Sequence, residues 1–330
     1  MKPPPPGQAV AALRRGGWIA LSVLGPVTIG YLLVFWLIMA PIPGDTITYL
    51  ETGNRLNRGE PLYAPHDFGA GYARVATFSP PLIGVVFRPL AALPDGLGVL
   101  LWLSAMAALE VAGITLLYLR SPALTGIAAF LLAPAIGLTI VVGNVDALVL
   151  CGLVSVWLLL RGGRETAAGL LLGLLASLKL TPAAVLWWAL LTGRRRAVAA
   201  ALLAAGGLAL ITILGSEPLV YARFVEVTLT NYGGAMGSMS LGALGRSLGT
   251  GSAAALLPVT ALIGGLTLAA LVRGRPGLAW SIAIATMVLG SPVAAFHSPA
   301  LLLAMLAPVA YPPLHRARTL PQAMAAGQFR

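Results

Sequence analysis

The sequence predicts an all-α polytopic membrane protein, a bundle of roughly ten or eleven transmembrane or partial helices with interfacial helices on one face. Three observations carry that expectation. The 330 residues are 58% hydrophobic and 9% charged, with a mean hydropathy of +0.90. The apolar residues fall in runs of membrane-spanning length, separated by polar turns. The basic residues, which give a formal charge of +11, form small clusters between those runs. Cytoplasmic loops carry such clusters under the positive-inside rule, so the charge points to a membrane and not to nucleic acid. Cys151 is the one cysteine and lies in an apolar run, which leaves no basis for a disulfide or a thiolate metal site.

Taken in order, residues 1–16 read as a basic, Pro-rich cytoplasmic tail and residues 17–313 as one membrane domain. A first span from about Trp18 to Ala40 is too long for a signal peptide core and has no small-residue cleavage site, so it is expected to be retained. The outer segment 41–78 holds a helix N-capped by Asp45, with Tyr49, Leu50 and Leu56 as a partial apolar stripe and Gly59-Glu60-Pro61 as its stop. Such a helix suits the membrane interface. Residues 79–93 are apolar but short against the ~20 residues a spanning helix needs, so they are expected to re-enter or cross only partly. A span over 97–119 follows, then a hairpin of spans over 122–141 and 145–160, then two short helices over 166–178 and 182–193. Another span, 197–215, leads to a second outer segment, 216–251, and passes over 253–272, 277–290 and 298–313 complete the domain. Residues 314–330 read as a second cytoplasmic tail.

This threading puts two thirds of the 21 basic residues on one side, with Glu165 as the only acid there, and leaves Glu110 inside a span. Asp45, Asn144, Asp146, Lys179, Asn231, Arg246 and His297 then fall together on the other side, which the charge rule did not require.

Each of these residues has a plain and a chemical reading. Asp45 is either a helix N-cap or a base at the water boundary, where partial desolvation raises basicity. Lys179 sits in an apolar hairpin and either snorkels to the headgroups or contacts a phosphate. Asn144 and Asp146 form either a plain turn or part of a polar cavity with Tyr49 and Asn231. His297 follows a helix-breaking Ser-Pro and is either a packing residue or a donor to substrate. Arg55 and Arg246 are the arginines favoured as phosphate contacts, the others reading as headgroup anchors. His66 and His315 have no metal-ligand spacing, so neither a metal nor another cofactor is expected. The absence of a Walker loop, G-x-S-x-G and H-E-x-x-H removes the usual support for ATP-driven, serine-hydrolase and zinc-protease chemistry.

Asp45, Tyr49, Gly59 to Tyr63, Phe78 to Pro81, Pro89 to Pro94, Gly143-Asn144, Gly169 to Lys179 with Pro182, Asn231, and Ser291-Pro292 with His297 together resemble glycosyltransferase family 87 in order and spacing. The likeness runs from about residue 18 to 313, with Gly-Asn where the family has Gly-Gln, and Ala294-Ala295 where an aromatic is usual. The resemblance implies a bacterial, GT-C-type mannosyltransferase of the cytoplasmic membrane with its active face extracytoplasmic. It implies inverting transfer from a polyprenyl-phosphate sugar to a lipid-linked or glycan acceptor, with Asp45 as base and His297 at a polar position of the site. The rival expectation is a transporter or lipid flippase using Asp45, Lys179 and His297 as a relay.

Overall fold

A computed structural model describes residues 44–63, 79–94, 96–231, 240–249, 256–291 and 295–313, excluding the side chains of 229–231. The expected first span, both tails and the stretch 64–78 lie outside the described residues. All regular structure among the described residues is helical.

Helix α1 (Gly44–Asn57) packs on α2 (Leu82–Ala91), and both pack on α3 (Leu97–Tyr118). The close approach of α1 and α2 depends on Gly53, where a Cβ would lie 2.6 Å from the carbonyl oxygen of Phe87. The residues α1 buries are Thr46, Tyr49, Thr52 and Gly53. Tyr49, Phe87 and Trp102 close that corner, with ring centroids 4.5 Å apart for Phe87 and Trp102 and 5.2 Å for Tyr49 and Phe87. Helix α2 has ten residues, in keeping with a partial crossing.

The expected single span over 122–141 is instead two helices, α4 (Pro122–Leu131) and α5 (Ala133–Val142), bent by 69° at their junction. Pro134 explains the break, since a proline has no N–H to donate and its ring clashes with the preceding turn. Helix α6 (Asp146–Arg161) passes through the middle of the bundle, and α7 (Glu165–Leu178) returns along it. After the break at Lys179 come α8 (Ala183–Leu191) and α9 (Arg195–Gly215). Helices α7 and α9 meet through small residues: a Cβ on Gly169 would lie 2.1 Å from the Ala197 carbonyl, and one on Gly173 2.4 Å from that of Ala201. Small residues four apart let two membrane helices approach at backbone distance.

Helices α10 (Val220–Asn231) and α11 (Leu241–Ser247) occupy the stretch 216–251, and α12 (Leu256–Leu271) and α13 (Pro276–Leu289) pack as a pair. The last expected pass, 298–313, is a 3-10 helix (Ser298–Leu306) followed by a single turn, α14 (Ala307–Ala310). Prolines 299 and 308 each remove a backbone donor there. Two described helices, α3 and α9, are long and apolar enough to cross a membrane alone, or three spans if the bent pair is counted as one.

Candidate active site

Five helix ends converge on one cluster. Asp45 lies in the first turn of α1, Asn144 between α5 and α6, Asp146 at the start of α6, Lys179 just past α7, and His297 just before the 3-10 helix. Asp45 is therefore inside its helix and not at the N-cap position expected for it, because the helix begins at Gly44. Its carboxylate turns across the bundle and accepts a hydrogen bond from Asn144 Nδ2 at 2.7 Å.

The Gly143-Asn144 turn is built to present that amide. Gly143 has φ +68°, and a Cβ there would stand 1.9 Å from Thr46 Oγ1. Trp102 Nε1 donates to the Gly143 carbonyl at 2.7 Å, and Thr46 Oγ1 donates to that of Val142 at 3.1 Å. The Asp146 N–H donates to Asn144 Oδ1 at 2.9 Å. A backbone N–H can only donate, so the oxygen of the amide faces Asp146 and its NH2 faces Asp45. Asn144 Nδ2 also approaches the Tyr49 hydroxyl at 3.4 Å. Burial, then the nearby Asp45 charge, holds the Tyr49 phenol well above its ordinary pKa, so that hydroxyl keeps its proton.

Asp146 is the hub. It is fully buried, and its Oδ1 accepts from the Lys179 ammonium while Oδ2 lies 2.8 Å from His297 Nδ1. A carboxylate paired with an ammonium has only acceptors to offer, so Nδ1 is the donor in the second contact. The other ring nitrogen, Nε2, then faces Asp45 Oδ2 at 3.7 Å. Two carboxylates thus meet one ammonium and one imidazole, and the set is charge-balanced when the imidazole is protonated. The helix ends contribute in the same sense, with Asp146 at the positive end of α6 and Lys179 at the negative end of α7. Lys179 adopts extended backbone there, φ −148° and ψ 132°, which ends the helix and swings its side chain to Asp146. Among the described residues no group of three or more His, Cys, Asp or Glu is arranged to hold a metal ion.

Residues 78–318 match the family profile of glycosyltransferase family 87. The chain belongs to that family. It is a membrane glycosyltransferase, which decides for the enzyme over the transporter or flippase. No curated protein and no solved structure gives a match.

Of the residues singled out for this family 87 glycosyltransferase, the structure brings together Asp45, Tyr49, Asn144, Asp146, Lys179 and His297. It does not bring Arg55 to them: that residue lies ten positions along α1 from Asp45, about 15 Å away by helix rise, and its Nε is 3.6 Å from Glu51. Arg246 is exposed on α11, which packs on α12. Asn231 closes α10, and its side chain is outside the described set. Of the arginines expected to be headgroup anchors, Arg58 pairs with Glu51 at 3.0 Å and Glu60 at 2.7 Å, and Arg223 with Glu217 at 2.8 Å. The Arg58 hydrogen bonds hold the Glu60 carboxyl below its ordinary pKa. Sequence reasoning missed Thr46 and Trp102 as anchors of the Asn144 turn. The Trp102 signal was available, since an indole N–H in an apolar helix usually finds an acceptor when buried.

Proposed function

We propose that the protein transfers a hexose, mannose being the first candidate, from a polyprenyl-phosphate sugar to a hydroxyl of a lipid-linked or glycan acceptor, with inversion at C1. The reaction takes place at the outer face of a bacterial cytoplasmic membrane. One observation carries the reading: a carboxylate oriented by Asn144 stands beside an imidazole and an ammonium that a second, buried carboxylate holds in place.

In the proposed step the acceptor oxygen attacks C1 from the face opposite the lipid phosphate. Asp45 takes the hydroxyl proton, the new C–O bond forms, and the C1–O bond to the phosphate breaks with its electron pair leaving on the phosphate. Asn144 occupies one lone pair of Oδ2 and leaves the rest of the carboxylate open to the acceptor. His297 Nε2 lies beside the same oxygen, where its positive form stabilises the ionised base. A polyprenyl phosphate is a good leaving group, so fixed positive charge suffices in place of a protonating acid. Lys179 has three N–H donors and Asp146 engages one of them, so the others serve the phosphate.

The test is transfer from radiolabelled polyprenyl-phosphate-mannose to membrane lipid acceptors by the purified protein. Wild type is expected to move label into acceptor, and Asp45→Asn to lose transfer by roughly 10²–10⁴-fold while still binding donor. Transfer unchanged in Asp45→Asn would remove Asp45 as the base. Label taken from a different lipid-linked sugar, and none from mannose, would correct the donor.

A further inference from the structure

The end of the bundle opposite the site carries a second concave feature. A cavity of about 1210 Å³ opens between the α6–α7 turn, the α8–α9 turn, the start of α13 and Pro313. Helix α6 has 16 residues and runs from Asp146 in the site to Arg161 at this cavity, a separation of about 22 Å. We propose that this cavity binds a phosphate-bearing anion, either the headgroup of an anionic lipid at the inner membrane surface or a soluble phosphate.

Arg161, Arg164, Arg194, Arg195 and Arg196 line the cavity, against one acid, Glu165. The positive-inside rule explains basic residues at this end but does not require five of them around one concavity. Among the described residues Glu165 pairs with Arg194, at 3.9 Å. Two of the guanidinium groups are already placed: Arg161 Nε donates to the Pro312 carbonyl at 2.8 Å, and Arg194 stacks over the Trp188 ring at 5.4 Å. Placed in this way, a guanidinium fork loses little freedom on meeting a planar anion or phosphate.

The decisive feature is a conflict within α9. That helix begins with Arg195 and Arg196, follows Arg194, has no acid in its first turn and has no side-chain cap. Cations at a helix N-terminus oppose the macrodipole and leave the first-turn N–H groups facing more positive charge. Three adjacent arginines at that position are unfavourable by themselves and favourable around a bound anion. The apolar part of the lining, Trp157, Leu160, Pro276 and Pro313, suits an amphiphile whose phosphate meets the arginines.

The experiment uses the full chain in detergent, with phosphatidylglycerol, phosphatidylcholine and inorganic phosphate as separate probes. Bound lipid is read by native mass spectrometry and protection by thermal unfolding. Wild type is expected to retain phosphatidylglycerol over phosphatidylcholine. Arg195→Gln and Arg196→Gln, both exposed positions that leave the fold intact, are each expected to weaken retention on the order of tenfold. Arg273→Gln removes an exposed charge outside the cavity lining and is expected to leave retention unchanged, while Glu165→Gln is expected to strengthen it. Protection by inorganic phosphate equal to that by lipid, and lost in the same variants, upholds the site and assigns it a soluble ligand. Retention unchanged in Arg195→Gln and Arg196→Gln, or reduced as much by Arg273→Gln, overturns the proposal.

Discussion

Asp146→Asn is the substitution that tests whether the five convergent helix ends act as one unit. It keeps the shape of the side chain and removes its charge. Lys179 can only donate, so the new amide oxygen must turn to Lys179 and the NH2 to His297. His297 Nδ1 then becomes an acceptor, and Nε2, facing Asp45, is the ring's donor. Two consequences follow, one for stability and one for rate. Removing one partner of a buried ion pair costs about 3–5 kcal/mol, and Lys179 retains 18% side-chain exposure, so a value near the lower limit, about 3 kcal/mol, is expected. The imidazole loses the carboxylate that orients it, which is expected to slow transfer on the order of 10²-fold. Thermal unfolding in detergent and single-turnover transfer from a labelled donor measure the two effects. Lys179→Met in the same background removes the stranded ammonium, so the double variant is expected to recover about 2 kcal/mol relative to the sum of the singles. Strict additivity, or an Asp146→Asn protein with wild-type stability and rate, would show that the three groups are neighbours without coupling.

Three further outcomes are expected. Gly143→Ala sets a Cβ against Thr46 Oγ1 at a backbone angle that L side chains rarely adopt, so it should lower the yield of monodisperse protein and abolish transfer; a well-folded, active variant would show that the turn is not a constraint. Glu110 is fully buried in α3, and neither of its oxygens has a hydrogen-bond partner among the described residues, so Glu110→Leu should raise stability by about 1–3 kcal/mol in the same unfolding assay. A loss of stability would show that the carboxyl has a partner. Tyr49→Phe removes the hydroxyl's contacts to Asn144, Ser79 and the Val145 backbone and keeps the ring packing against Phe87, so transfer should fall on the order of tenfold, and a loss comparable to the larger losses of Asp45→Asn would give the hydroxyl a direct role.

Helix type, membrane residence and the identity of the polar residues were legible without coordinates because each is a local property. Apolar runs of sufficient length announce themselves in any window, and Lys179 or His297 stands out because an ionisable group in such surroundings is costly wherever its partner lies. Pairing is different in kind. Asp146 meets Lys179 across 33 positions and His297 across 151, and Asn144 meets Asp45 across 99. No short window contains both members of any such pair, so the reading of Asp146 as one more polar turn residue became a hub only when the helices were packed. The break between α4 and α5 lies between these cases, since Pro134 was visible while its 69° bend was not. Hydropathy, charge and chain breaking act over a few residues, whereas the partner of a buried charge is chosen by how whole helices pack. In this chain that choice depends on glycines at 53, 143, 169 and 173, where a single added carbon would meet another segment's atoms.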